Sequence, residues 1–409
     1  ADASGSRRPC GVGFLFALKP RKLGYITKKK VTIMQTFKLM ATMGAGLEAL
    51  VARELKDMGY ATQTENGRVF FQGTVEDIYR TNLWLRVADR VKIVVTEFDA
   101  KTFDQLFEKT KAFPWEDLLP YDAEFPVNGR SKNSILHSVP TVQAITKKAI
   151  VNRLTDAYHV RGYLPETGNR FVLETAVDKD HVMITLDTTG DSLFKRGYRT
   201  EKGGAPLKET MAAALVNLAH WFTDNPFVDP TTGSGTIAIE AALIGRNIAP
   251  GLNREFDITQ WDWFDKKIGE TLKAQARQMI DFDVELDIEG FDIDENMIEI
   301  AKANAEAAGV GDDITFKQLA AKDWSTDKIN GVLVANPPYG ERLGDEDAAR
   351  QLYSEMGHIY NNMPTWSKYI LTSDEGFEEA FGAKATKKRK LYNGALKVDL
   401  YQYWGKKIR

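Results

Sequence analysis

Cysteine is almost missing from this 409-residue chain, which holds Cys10 and no other, and its five histidines (His137, His159, His181, His220 and His358) are scattered. Neither a disulfide framework nor a zinc site of Cys and His can be assembled from that inventory. Runs of about 18 apolar residues are absent, and the longest candidate near the start, Gly11 to Leu18, is too short for a bilayer, so no membrane span is expected. An excess of either charge is lacking too: 54 Lys and Arg stand against 57 Asp and Glu, a net of −3. That balance argues against a chain that coats nucleic acid indiscriminately, and leaves room for a local basic face. With 43% hydrophobic and 27% charged residues, what remains is ordinary globular material, long enough for two or three domains and best suited to a reducing cytoplasm.

Charge is unevenly placed. Residues 1–33 hold Arg7, Arg8, Lys19, Arg21, Lys22, Lys28, Lys29 and Lys30 against Asp2, a balance of +7 that leaves −10 on the rest. This segment lacks sustained periodicity and reads as an extension outside the fold; no small-residue cleavage site follows its apolar stretch to make it an export signal. Residues 34–100 alternate strand, helix, hairpin, helix and strand. Phe37 to Met43 reads as a strand, and Leu47 to Met58, apolar at 47, 50, 51, 55 and 58, as a helix. An Asn66-Gly67 turn precedes the strand Val69-Phe70-Phe71; Thr74 stands where a cap is needed before a helix over Ile78 to Ala88, and Val91 to Phe98 closes the unit. The pattern is a small α+β unit of ferredoxin-like kind.

Residues 101–197 predict a second unit: a helix over Phe103 to Leu119, a strand near Glu124 to Asn128, a helix over Thr141 to Tyr158 and a hairpin over Phe171 to Asp187. Arg130, Lys147, Lys148, Lys195, Arg196 and Arg199 concentrate positive charge here and make a candidate phosphate-contacting, RNA-binding face, the alternative being solvated helix surface. Residues 198–210, rich in glycine and charge, read as a linker. From 211 to 409 strands alternate with long helices, the sign of a parallel doubly wound sheet. Its strands are expected at Phe227 to Asp229, Ile288 to Asp292, Ile314 to Leu319, Val332 to Ala335 and Tyr369 to Thr372, with a final hairpin of Arg389 to Tyr392 and Leu396 to Trp404 making seven.

Four features fall after successive strands of this sheet. Asp229-Pro230-Thr231-Thr232-Gly233-Ser234-Gly235-Thr236 links the first strand to a helix, and its glycines let backbone approach a ligand at a helix N-terminus, although an ordinary tight connection has the same look. It lacks the lysine of a P-loop and the full GxGxxG spacing. Asp292, at the tip of Gly290-Phe291-Asp292-Ile293, can accept hydrogen bonds from ribose hydroxyls, while Asp294 reads as a helix cap. Asp323 can take the amino group of an adenine or be a solvated loop residue. The fourth is Asn336-Pro337-Pro338-Tyr339. Each proline biases the residue before it toward extended backbone, which fixes a carboxamide and a carbonyl beside an aromatic ring. Two fixed acceptors and a ring suit a planar group bearing an NH2.

The order of these motifs resembles the class I S-adenosylmethionine-dependent methyltransferases of the N-methylating branch. Lys195-Arg196-Gly197-Tyr198-Arg199, Ala205-Pro206-Leu207-Lys208-Glu209-Thr210, Ala249-Pro250-Gly251-Leu252-Asn253-Arg254 and Asn336 to Gly344 are similar to strings of the THUMP-domain 23S rRNA guanine-N2 methyltransferases of RlmL/YpsC type, over nearly all of residues 35–409. The resemblance implies a Rossmann-like seven-stranded catalytic sheet over 211–409 behind a ferredoxin-like subdomain (34–100) and a THUMP region (101–197). It implies S-adenosyl-L-methionine bound by Pro206, Lys208, Thr210, Asp229, Thr232, Gly233, Gly235, Thr236, Asp292, Ile293, Asp323 and Asn336. Asn336, Pro337 and Tyr339 would carry the chemistry, with Tyr339 stacked on the base, 23S rRNA or its assembly precursor would be the partner, and no metal is needed. Thr231-Thr232 departs from the family's aromatic or Met followed by Cys, with size and polarity kept. Some relatives fuse a second methyltransferase domain at the C-terminus, and a single activity is expected here. A tRNA guanine-N2 methyltransferase and a DNA adenine-N6 methyltransferase are the rival readings.

Overall fold

The computed structural model describes residues 36–199, 207–339 and 345–406, so the expectation for residues 1–33 lies outside the described residues. The first part of the chain folds as β1 (Phe37–Thr42), α1 (Glu48–Asp57), β2 (Gln63–Glu65), β3 (Arg68–Gly73), α2 (Val75–Trp84) and β4 (Arg90–Asp99). Thr74 begins α2 through a reciprocal capping box, its hydroxyl accepting from the Asp77 N–H while the Asp77 carboxylate accepts from the Thr74 N–H. Such a cap contributes about 1 kcal/mol. The chain continues through α3 (Phe103–Ala112), β5 (Val127–Lys132), α4 (Val139–Ala157), β6 (Leu173–Asp178) and β7 (His181–Asp187).

Two expectations need correcting here. The helix begun at Phe103 stops at Ala112 rather than running to Leu119, because Pro114 pushes Phe113 into extended backbone (φ −69°, ψ 140°). A short turn at Trp115–Asp117 follows, which buries the Trp115 indole with its N–H donating to the Thr110 carbonyl at 2.7 Å. The strand expected near Glu124 to Asn128 starts instead at Val127; Glu124 makes only an isolated bridge to Arg170. The two N-terminal units share a sheet. Ten-residue β4 pairs with β1 on one side and β7 on the other, which joins everything into one seven-stranded sheet of order β2-β3-β1-β4-β7-β6-β5.

The second sheet is built from α5 (Glu209–Leu218), β8 (Phe227–Asp229), α6 (Thr236–Gly245), α7 (Lys266–Gln278), β9 (Ile288–Asp292), α8 (Glu295–Ala308), β10 (Ile314–Gln318), β11 (Val332–Ala335), α9 (Asp345–Tyr360), β12 (Ser367–Thr372), α10 (Phe377–Phe381), β13 (Lys387–Asn393) and β14 (Leu396–Tyr403). Its order is β10-β9-β8-β11-β12-β14-β13, with β14 antiparallel to its neighbours. This is the doubly wound α/β sheet that the strand pattern predicts. The central strands β8 and β11 are buried throughout, as strands covered on both faces must be.

One apolar core runs under both sheets, from Leu39 and Phe71 to Phe227 and Val334. The two halves are locked by hydrogen bonds as well: the Gly251 N–H donates to the Leu83 carbonyl at 3.0 Å, and the Arg86 guanidinium donates to the Ile248 carbonyl at 2.8 Å. Among the described residues no helix is long and apolar enough to cross a membrane.

Candidate active site at the switch point of the second sheet

From β8 the chain winds outward through β9 to β10, then returns past β8 and winds the other way through β11 and β12. The loops after β8 and β11 therefore part company, and a crevice opens at the carboxyl ends of the strands, where ligands of such sheets bind. A cavity of about 680 Å³ lies there, lined by Thr231, Gly233, Asp292, Ile293 and all four residues of Asn336 to Tyr339.

The glycine loop is shaped by the sheet beneath it. Gly235 caps α6 with φ +84°, and a Cβ on it would lie 3.0 Å from Ala301 Cβ and 3.1 Å from Phe316 Cζ, so only glycine lets the helix start this close to its neighbours. The Thr232 N–H donates to the Phe291 carbonyl at 2.7 Å, and the Gly233 N–H to Asp292 Oδ2 at 3.0 Å. The Asp292 carboxylate thus ties the loop to the tip of β9, and its other oxygen accepts from the Asp294 N–H at 2.9 Å. Asp294 caps α8 through the Asn296 N–H, the role read for it in the sequence.

Asp229 is enclosed completely. One oxygen accepts from the Thr231 N–H at 3.3 Å, and the Thr232 hydroxyl lies beside the carboxyl, where it favours the charged form; among the described residues the Thr231 hydroxyl has no partner. Burial pushes the Asp229 carboxyl up to about 7. A buried carboxyl with so few donors and an unpartnered hydroxyl on one loop are costly unless a ligand or water meets them, and a polar ligand bearing an amine fits that need. Ile293, 73% exposed on the cavity rim, offers an apolar flank to a flat ring.

Asn336 is half-buried and its Oδ1 accepts the Tyr339 hydroxyl. The Tyr339 side chain is thereby tied to Asn336 through its hydroxyl, and a base entering the cavity must share the second lone pair of Oδ1 or displace the hydroxyl. The loop is braced from behind: Tyr353, buried on α9, donates to the Pro338 carbonyl at 2.7 Å and lies 3.0 Å from Thr372 Oγ1. Sequence reasoning missed Tyr353, whose only signal is a place on the apolar face of a helix. It also missed the turn between β13 and β14, which contributes Asn393, Gly394 and Leu396 to the cavity.

Not every expected site residue gathers here. Lys208 lines the cavity and Pro206 lies outside the described residues. Thr210 is turned away, its hydroxyl donating to Asp89 at 3.1 Å, and Thr236 accepts from Arg199 at 3.1 Å beneath the loop. Asp323 is exposed on the turn Ala321–Asp323, where Ala321 and Lys322, not Asp323, line the cavity.

The basic face changes most. Arg196 is 3% exposed and pairs with buried Glu240 at 3.4 Å while donating to the Leu193 and Arg86 carbonyls. Arg199 pairs with Glu209 at 3.3 Å and donates to the Leu207 carbonyl. Both arginines are spent on the junction between the two sheets and present no guanidinium to a phosphate. Lys147 pairs with Glu166 at 2.7 Å with its ammonium over the Phe125 ring. Arg130, Lys148 and Lys195 remain exposed, Arg130 beside Glu174 and Lys195 beside Asp191.

Comparison with known proteins places this geometry. Residues 196–402 match the RMKL-like methyltransferase domain, residues 38–92 the RlmL ferredoxin-like domain and residues 100–187 the THUMP domain. The chain is 52% identical to "Putative RNA methyltransferase YpsC" of Bacillus subtilis over 91% of its own length and 97% of that protein's. It is 34% identical to the ribosomal RNA large subunit methyltransferase K/L of Syntrophotalea carbinolica, where it covers 90% of itself and spans about half, 53%, of that protein. A crystal structure from Listeria monocytogenes, described as "a predicted N6-adenine-specific DNA methylase", is 59% identical and superposes with a TM-score of 0.87 over 91% of this chain and 97% of that one. SMU.472, "a putative methyltransferase complexed with SAH", is 52% identical with a TM-score of 0.87 over 93% and 100% of the two chains. TrmN from Thermus thermophilus, 19% identical with a TM-score of 0.64 over 90% and 99%, shares the fold. A crevice built on a glycine loop and Asn-Pro-Pro-Tyr, behind joined ferredoxin-like and THUMP units, is thus accounted for: the chain belongs to the RlmL/YpsC family of RNA methyltransferases.

Proposed function

We propose that this protein methylates the exocyclic N2 amine of a specific guanine in 23S rRNA, or in its assembly precursor, with S-adenosyl-L-methionine as donor. The observation that carries the reading is the placement of Asn336 to Tyr339 in one cavity with the loop of Thr231 and Gly233 and with Asp292. Asp229, Gly233, Asp292 and Ile293 would hold the cofactor, which supplies an electrophilic methyl group when bound. The protein's own residues do the rest. A guanine amine is a poor nucleophile because its lone pair is delocalised into the ring. Asn336 Oδ1 and the Pro337 carbonyl accept its two hydrogens, favouring a tetrahedral nitrogen whose lone pair points at the methyl group. Tyr339, whose hydroxyl already engages Asn336, follows the carboxamide and flanks the base. The rigid loop, braced by Tyr353, keeps these acceptors in place, so positioning supplies most of the acceleration. The proton released on transfer leaves to water.

A THUMP unit and relatives named as RNA methyltransferases support RNA over DNA, and the K/L relatives named for the large ribosomal subunit support rRNA over tRNA. Mass mapping of modified nucleosides from a strain lacking the gene tests the reading. Loss of one N2-methylguanosine from 23S rRNA is expected; a loss confined to tRNA, or of N6-methyladenine from DNA, would replace it. In vitro, Asn336→Ala should lower turnover about 100-fold or more while S-adenosylhomocysteine binding stays within about twofold.

A further inference from the structure

The antiparallel strand β14 runs back against β12, with Asp399 opposite Thr372 at the carboxyl end of the parallel strands. Three residues earlier, Leu396 and the turn before it overhang that end, on the side of the sheet where the crevice lies. Asn393, Gly394 and Leu396 accordingly share the cavity with Asn336 to Tyr339. Asn393 is half-buried there, and among the described residues its carboxamide makes no hydrogen bond. Turn geometry does not demand asparagine at this position: Asn393 is still paired, with Leu396, and the left-handed conformation falls on Gly394 at φ +65°.

The outer side of this hairpin is clamped by the ferredoxin-like subdomain. Arg389 of β13 donates to the Gly46 carbonyl at 2.7 Å, and a Cβ on Gly46 would lie 2.9 Å from the Lys390 carbonyl oxygen. Glu48 fixes that loop by accepting from the N–H groups of Gly46 and Gly67, each at 2.9 Å. A turn inserted into a catalytic cavity and buttressed from another subdomain is a wall held in register.

We infer that Asn393 is a specificity-determining residue that reads the Watson–Crick edge of the base whose amine is held by Asn336, on a wall positioned by the contact of Arg389 with Gly46. The inference rests on the guanine-N2 reading above. Guanine presents an N1–H donor beside an O6 acceptor, and a carboxamide matches that pair with its oxygen and its NH2. Adenine presents no such pair beside N1 with the same polarity, and 2-aminopurine keeps the N2 amine while lacking both N1–H and O6.

The test uses a synthetic RNA hairpin carrying the mapped target nucleotide as guanine or as 2-aminopurine, with kcat/KM measured for the full chain and S-adenosylhomocysteine affinity measured alongside. Wild-type protein should prefer guanine by about ten- to a hundredfold, the discrimination of one bidentate carboxamide contact. In Asn393→Ala the guanine rate should fall toward the 2-aminopurine rate, the 2-aminopurine rate should hold, and cofactor affinity should stay within about twofold. Asn393→Asp, which keeps the acceptor for N1–H and loses the donor to O6, should fall between. Arg389→Ala should lower the preference in the same direction, and Arg389→Lys should restore part of it. An unchanged guanine preference in Asn393→Ala overturns the inference and leaves the guanine reading standing. Failure of wild-type protein to methylate either RNA while still binding S-adenosylhomocysteine overturns both.

Discussion

Asp229 is a fully buried carboxyl met only by the Thr231 N–H and the Thr232 hydroxyl among the described residues, and its replacement by asparagine separates folding from cofactor binding. Burial raises it from 3.8 to about 7, so ionising it inside the folded protein costs on the order of 4 kcal/mol more than in the unfolded chain. Because the folded state holds this proton more tightly, the stabilisation it confers is present below about pH 4 and is lost as pH rises through about 7. Asp229→Asn cannot titrate. The stability of the variant minus that of wild type should therefore climb in the variant's favour across that window, approaching a few kcal/mol at pH 8. Glu54, also pushed up to about 7 by burial, titrates in both proteins and cancels in the difference. If Asp229 holds the cofactor by accepting its ammonium, binding requires the ionised form. Affinity of wild type for S-adenosylhomocysteine should then rise about tenfold per pH unit up to about 7 and level off, whereas Asp229→Asn should bind weakly at every pH. Urea denaturation and titration calorimetry between about pH 5 and 8 measure both. A pH-independent stability difference, or the same pH profile of affinity in both proteins, would refute the reasoning.

Arg196→Ala should leave Glu240 to the Tyr198 hydroxyl and to Arg86, and cost about 1.5–3 kcal/mol in denaturant unfolding, with RNA affinity of the folded fraction unchanged; a selective loss of RNA binding at full stability would restore Arg196 to the RNA face. Tyr353→Phe removes the donor to the Pro338 carbonyl, so kcat should drop about tenfold through a looser Asn336 while cofactor affinity holds; equal kcat would show that the prolines alone keep the loop rigid.

Much of the catalytic half was legible in the sequence because its strands are short apolar runs closed by chemically distinctive residues. Phe227 to Asp229, Ile288 to Asp292 and Val332 to Ala335 match the observed strands residue for residue. Period and punctuation decide such elements locally. Pro114 shows the same local rule overlooked: it ends α3 where apolar spacing alone continued the helix. The joining of the two N-terminal units into a single sheet was not legible, since pairing of β4 with β7 is a contact between residues nearly a hundred positions apart, with no trace in either strand's own pattern.

The arginines of the 195–199 string show where reading charge from sequence fails. A cation on a glycine-flanked connection looks solvated, and a solvated cation near an RNA-binding unit looks like a phosphate contact. What decides is the partner. Glu240 lies on α6 among Ile239, Ala241 and Ala242, an apolar helix in which one buried carboxylate has to be neutralised, and Arg196 reaches it together with the Tyr198 hydroxyl and the nearby charge of Arg86. Arg199 meets Thr236 one turn earlier on the same helix, at the base of the glycine loop. The linker between the RNA-binding half and the catalytic half is therefore bonded to the helix that carries the proposed cofactor loop, and its charge serves the junction instead of the substrate. For the proposed RNA face this leaves cations such as Lys148, which is exposed on α4 and makes no carboxylate ion pair among the described residues.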